Sequence, residues 1–131
     1  MATLTPTLTL VSTDATSDEL NFSVTDSLTV KAPSQSISTV IATATGSHTI
    51  IVPASTAIAY LYVRHTGTTN GTTTTVRQVD VEFTTDEGIA RLSTGEWLFM
   101  PVSHAGIDVG VQLQVNHASV VQCEYAFWTR G

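Results

Sequence analysis

Ile107-Asp-Val-Gly-Val-Gln-Leu-Gln-Val-Asn116, followed shortly by Val121-Gln-Cys-Glu-Tyr-Ala-Phe-Trp128, is the stretch that decides the fold. In the first run Ile107, Val109, Val111, Leu113 and Val115 alternate with Asp108, Gly110, Gln112, Gln114 and Asn116. In the second, Val121, Cys123, Tyr125 and Phe127 alternate with Gln122, Glu124 and Ala126. Successive strand side chains point to opposite faces, so each run reads as a strand with one apolar side. Residues 116–119 then read as the turn of a C-terminal hairpin.

The same grammar extends upstream. Residues 57–65 are apolar on both phases, with Ile58, Tyr60 and Tyr62 on one and Ala59, Leu61 and Val63 on the other. Such a strand is central, or one of its faces meets a partner. Residues 66–75, with the turn-forming pair Asn70-Gly71, read as a long hairpin loop. Val79, Val81 and Phe83 follow, with Gln78, Asp80 and Glu82 outward. Turns at Asp86-Glu-Gly88 and Thr94-Gly95 bracket a short strand over 89–92, and 96–101 carries bulky residues on both sides. Two further short strands fall at 37–44 and 49–52.

Near the N-terminus, Leu4, Leu8 and Leu10 oppose Thr3, Thr5, Thr7 and Thr9, with Pro6 on the apolar phase. Proline cannot donate to a ladder, so residues 1–12 are expected to be an edge strand or extended arm. Leu20, Phe22 and Val24 alternate next, and the pattern breaks near Ser27 before Leu28 and Val30 resume, as a bulge or two short strands require. Between these runs a single helical turn is conceivable at 14–19, capped by Thr13 or Asp14. The expected architecture is all-β: a sandwich of jelly-roll or Greek-key type with about 8–10 short antiparallel strands. Its expected divisions are the arm, 1–12, and one domain, 13–131.

Composition agrees. Threonine and serine supply 24 and 12 of the 131 residues and valine 15 more, while charged residues make up only 12%. β-branched residues lose side-chain freedom in helices and suit pleated surfaces. A net charge of −6 with five cations gives no basic footprint for nucleic acid. No run reaches the 18 apolar residues of a membrane helix. Met1-Ala-Thr-Leu-Thr-Pro6 lacks the basic and apolar regions of a secretory signal, and the lone Cys123 suits a reducing cytosol. The sequons at Asn21 and Asn70 read as a strand start and a turn.

Catalytic chemistry finds little purchase. His48, His65, His104 and His117 occur singly, without the spacing of a metal motif. His104, Asp108 and His117 are the one set with room to converge at one end of the fold, and ordinary loop hydrogen bonding is the simpler reading. No Gly-x-Ser-x-Gly elbow appears, and Cys123 falls on the apolar phase as a small core residue. Asp18-Glu19 and Asp86-Glu87 are turn residues without the spaced oxygens calcium requires. Short, irregular Thr-x-Thr rows are strand grammar more than an ice-binding array. The chain is therefore expected to be no enzyme and to hold no cofactor and no metal.

The surplus of apolar surface points to assembly instead. Leu4, Leu8 and Leu10 in the arm, and Tyr60, Tyr62, Trp97, Phe99 and Trp128, are the candidate partner or oligomer anchors. Core packing is the plainer reading for each. The stretches Ala59-Tyr-Leu-Tyr-Val-Arg-His-Thr-Gly-Thr68, Ile89-Ala-Arg-Leu-Ser-Thr-Gly-Glu-Trp-Leu-Phe-Met-Pro101 and Val121-Gln-Cys-Glu-Tyr-Ala-Phe-Trp128 resemble small virion proteins of tailed bacteriophages of marine and cyanobacterial type. The resemblance covers roughly the C-terminal 70 residues and rests on structural motifs. It implies a capsid decoration (cement) protein or similar head or tail accessory. Such a protein would be made in the host cytoplasm, assembled as a homotrimer, and bound to the major capsid protein or other virion proteins, with no nucleic-acid or membrane partner. The alternative is a receptor- or glycan-binding module, such as a tail-fibre tip or lectin, with aromatics gathered near Asn70, Asp86 or His104.

Overall fold

Alternating valine, threonine and aromatic residues favour a pleated backbone, and the computed structural model, which describes residues 2–31, 37–42, 47–54, 58–102 and 109–130, is all-β. Among the described residues twelve strands form in chain order: β1 (Ala2–Leu4), β2 (Thr7–Ser12), β3 (Leu20–Thr25), β4 (Leu28–Val30), β5 (Ser38–Ala42), β6 (Thr49–Val52), β7 (Tyr60–His65), β8 (Val79–Phe83), β9 (Gly88–Leu92), β10 (Trp97–Pro101), β11 (Val111–Gln114) and β12 (Val121–Trp128). The count exceeds the expected 8–10 because Pro6 and the Asp26-Ser27 pair each divide one N-terminal run. Among the described residues there is no helix; residues 13–18 form bends, not the helical turn considered from the sequence.

The chain divides into two compact units, residues 1–33 with 130–131, and residues 34–129. The division falls after Pro33, where the sequence suggested a break after residue 12. In the first unit β1 pairs antiparallel with β4 and β2 with β3. Leu4 opposes Leu28, Thr7 opposes Thr25 and Ser12 opposes Leu20, so one register runs through both pairs without a bulge. The Pro6 carbonyl accepts the Asp26 N–H at 3.2 Å, keeping the strands together where the proline has no N–H to return. Residues 2–12 and 20–30 are thus one broken β-ribbon, and Arg130 adds a bridge to Val30.

The second unit is a sandwich of two antiparallel four-stranded sheets, ordered β10-β7-β12-β5 and β6-β11-β8-β9. Between them lies a core of short aliphatic side chains, including Leu61, Val63, Val121 and Cys123 from the first sheet and Val79, Val81, Val111 and Leu113 from the second. As expected of a strand apolar on both faces, β7 is central.

Two expected hairpins are not hairpins. β11 pairs with β6 and β8, whereas β12 pairs with β5 and β7. Residues 116–119 therefore carry the chain from one sheet to the other. The two runs that decided the fold face each other across the core. Residues 66–78 also change sheets, from β7 to β8, although a small local turn closes within them through a Thr68–Thr74 bridge and the Asn70 carboxamide oxygen, which accepts from the Thr72 and Thr73 N–H groups. Alternation reports which side of a strand is buried, and it is silent on which neighbour supplies the hydrogen bonds.

Two side-chain-level constraints hold these crossings. A Cβ added at Gly110 would stand 2.1 Å from the Val52 carbonyl oxygen, so only glycine lets β11 enter beside β6. His65 is fully buried; its Nδ1 accepts the Gly67 N–H at 2.9 Å and its Nε2–H donates to the Arg77 carbonyl at 2.6 Å. One imidazole thus ties both ends of the 66–78 connection to the sandwich. His65→Ala leaves both backbone groups without their partner and opens a cavity, which together cost about 3 kcal/mol. Urea denaturation measures this directly, and a loss under about 1 kcal/mol contradicts the assigned role.

Candidate functional site

The anchors named from the sequence fall into two groups, one in each unit. On the sandwich, β10, β7 and β12 place Trp97, Phe99, Tyr60, Tyr62 and Trp128 on the side of their sheet that faces away from the other sheet. Phe99 opposes Tyr62, Pro101 opposes Tyr60, and Trp128 opposes Tyr60 across the β7–β12 pair. The rings of Tyr60 and Phe99 stack at 6.0 Å and 9°, and Trp128 tilts against Phe99 at 6.1 Å. These offset and tilted arrangements are the favourable ones for aromatic quadrupoles. Tyr60 is buried, Tyr62, Phe99 and Trp128 are half-buried, and Trp97 is 52% exposed.

Trp97 stands at the edge of a shallow hollow of about 350 Å³ shared with Tyr62, Arg64 and Gly95. The Tyr62 hydroxyl donates to Glu124 Oε1 at 3.2 Å, and Arg64 Nη1 stands 3.7 Å from the same oxygen. Burial, and after it the Glu124 carboxylate, hold the Tyr62 phenol above its ordinary pKa, so it stays a donor at neutral pH. An exposed indole with a phenol, a guanidinium and a carboxylate beside it can stack on one molecule and hydrogen-bond it.

The second group lies on the ribbon. Leu8 opposes Val24 and Leu10 opposes Phe22, so these four share one face, and Leu4 opposes Leu28 further along the same face. Leu10 is 45% exposed and Phe22 46%, with Leu8 and Val24 close to them. The opposite face carries hydroxyls that bond across the strands, Thr7 to Thr25 at 3.0 Å and Thr9 to Ser23 at 3.2 Å. That pairing occupies the threonines locally. Phe22 and Val24 belong to the surface but were not named from the sequence, although their alternation was visible; only the register shows that they complete the Leu8–Leu10 patch.

The outward side of the second sheet is polar. Asp80 accepts from Arg91 Nε at 2.6 Å, Arg91 Nη2 at 3.3 Å and Asn116 Nδ2 at 3.1 Å. This cluster borders a cleft of about 310 Å³ that also includes Arg77, Ser93 and His117. Asp80 raises the Arg91 pKa through the hydrogen bond first and charge second. The suggested convergence of His104, Asp108 and His117 is not described, since His104 and Asp108 lie outside the described residues. Of the residues named for a glycan-binding pocket, Asn70 caps its own turn, Asp86 bonds Gln112 on the second sheet, and His104 lies outside the described residues.

No protein-family model matches the chain, and no curated protein or solved structure is significantly similar to it. Its surfaces therefore have to speak through their own chemistry.

Cys123 is the only thiol and sits fully buried on β12. Burial in this apolar layer pushes its pKa up to about 12. A nucleophile needs the thiolate, which this environment disfavours. Native protein at pH 8 is expected to resist a thiol-reactive disulfide reagent, with full reaction once it is unfolded; rapid native labelling contradicts the burial. Because the folded pKa lies above the ordinary 9.0, this stabilising contribution is full below pH 9 and is lost as the pH climbs towards about 12. Cys123→Ala removes that part of the alkaline slope.

Proposed function

We propose that this protein is a non-enzymatic structural subunit that works by assembly, as a capsid decoration (cement) protein on the head of a tailed bacteriophage. The observation that carries the reading is the ribbon of the first unit, with Leu8, Leu10, Phe22 and Val24 exposed on one face. An isolated two-stranded ribbon is marginal in water, and an apolar face on one needs a cover. Neither β2 nor β3 contains a charged residue, so the edges lack the lysines that usually block strand pairing.

A second copy of the chain is the occupant favoured here. Two six-residue strands present a face of roughly 20 by 10 Å, or about 200 Å², against the ~800 Å² per partner of a standard complex. One such face alone is too small to hold a complex, so the homotrimer of this reading draws on further apolar surface as well. The aromatic face of the sandwich is a further apolar surface, suited to the major capsid protein. Burial of such surfaces raises the stability of the assembled shell by mass action, without a chemical step. The resemblance to small virion proteins in 59–68, 89–101 and 121–128 supports the same reading.

Leu10→Asp with Phe22→Asp tests it. Both side chains are already half-exposed, so the sandwich is expected to keep its melting temperature. Light scattering during size exclusion at about 100 μM is expected to show a trimer for the natural sequence and a monomer for the double variant. A natural chain that is monomeric at that concentration overturns the assembly reading.

The hollow at Trp97 favours one second reading, a glycan-binding module, because an exposed indole stacks readily on a sugar face while Arg64 and Glu124 supply hydrogen bonds. That reading expects clear hits on a glycan array that disappear in Trp97→Ala. An empty array, with oligomerisation intact, removes it.

A further inference from the structure

His48, Glu82, Asp86 and Gln112 come from four places in the sequence and meet on the outward side of the second sheet. β11 lies between β6 and β8, so Gln112 has Ile50 on one side and Glu82 on the other. His48 precedes β6 on the same phase as Ile50. Asp86 is carried over the group by the β8–β9 turn, where it adopts φ 67. Gln112 Nε2 donates to Glu82 Oε1 at 2.8 Å and to Asp86 Oδ1 at 3.0 Å. His48 Nε2 stands 3.2 Å from the same Glu82 oxygen and 3.7 Å from the same Asp86 oxygen.

Three features of this group are poorly explained by packing. Glu82 is only 7% exposed, and no lysine or arginine among the described residues pairs with it or with Asp86. Two carboxylates therefore converge on one amide and the His48 imidazole. Gln112 is only 4% exposed, and its Oε1 has no hydrogen-bond donor among the described residues. A buried amide oxygen without a donor is costly. Lastly, the imidazole and both carboxylate oxygens lie within 4.8 Å of one another.

We propose that these four side chains form a binding site for a divalent transition-metal ion of the Zn²⁺ class. Turning the Gln112 amide over, which changes little in its shape, replaces Nε2 by Oε1 as the atom facing the carboxylates. The set is then one imidazole nitrogen and three oxygens. Zinc bonds of 2.0–2.1 Å in a tetrahedron place neighbouring donors roughly 3.4 Å apart. The spacings of 2.8, 3.0, 3.2 and 3.7 Å in the structure bracket that value. The ion neutralises the buried Glu82 charge, and the turned amide oxygen becomes a ligand in place of the two hydrogen bonds that Gln112 Nε2 otherwise makes to the carboxylates. A mixed nitrogen and oxygen set selects against calcium and magnesium, which take oxygen ligands in larger or more hydrated shells. The sequence concealed the site because His48 and Glu82 are far apart along the chain and no short motif joins them. This inference does not depend on the assembly reading.

The full chain, stripped with a chelator and dialysed, is titrated with ZnCl₂ by calorimetry. One equivalent is expected to bind, and the melting temperature is expected to rise with it. Co²⁺ in its place is expected to give the visible absorption of a four-coordinate site. His48→Ala alters an exposed side chain and is expected to weaken binding by at least about tenfold. Glu82→Gln is expected to do the same, and His117→Ala, at a distant histidine, is expected to change nothing. Should Glu82→Gln fail to fold, His48→Ala alone decides. No stoichiometric binding, unchanged affinity in His48→Ala, or a preference for Ca²⁺ over Zn²⁺ overturns the proposal; in the first case His48 is simply a surface imidazole beside two carboxylates.

Discussion

The layer of valines between the two sheets is the constraint on which the rest of this structure depends. Val52, Val63, Val79, Val81, Val111 and Val121 are essentially sealed from solvent, joined by Leu61 and Leu113. β-branched side chains are short and stiff, so they fill a thin interlayer without many rotamers to freeze. At roughly 25 cal/mol per Å² of apolar surface this layer is the main source of stability for the second unit. It also spends the small aliphatics of the sequence inside. The large rings are left for the outward side of one sheet, and the carboxylates and amides for the outward side of the other.

The two outward sides are consequently unlike. One is an aromatic surface, stacked through Tyr60, Phe99 and Trp128, that ends at the exposed indole of Trp97. The other is a polar ladder in which Asp80 meets Arg91 and Asn116, and Glu82 meets Gln112 and His48. The first unit repeats the contrast on a smaller scale, with leucines, Phe22 and Val24 on one face of the ribbon and cross-bonded hydroxyls on the other. Low charge is common to the apolar faces. It leaves them free to meet another apolar surface without removing charges from water.

Much of this was legible residue by residue. The valine and leucine phases of β8, β11 and β12 were read correctly, as was Cys123 as a core residue. The five aromatic residues that the sequence marks as candidate anchors share one face of their sheet. What was misread concerns partners. The runs 107–116 and 121–128 looked like a hairpin because they are adjacent and complementary, yet each joins a different sheet. His65 reads from the sequence only as a single histidine ending the 57–65 run, but it is buried and holds a sheet-to-sheet connection through two backbone bonds. Glu82 and Gln112 looked like two solvated outward positions, and nothing in their neighbourhoods pointed to His48.

The sequence by itself determined that the chain is all-β and which side of most strands is buried, because side-chain alternation is local and has a period of two. It also determined that little charge would guard the edges. Only the tertiary structure decided which strands pair, that residues 2–30 form their own ribbon, and that four polar side chains from β8, β11, the residue before β6 and a turn converge. Strand pairing is made by backbone groups that every residue carries, so side-chain identity hardly encodes it. It is selected by the packing of the whole valine layer at once, and that is a property no single stretch of sequence contains.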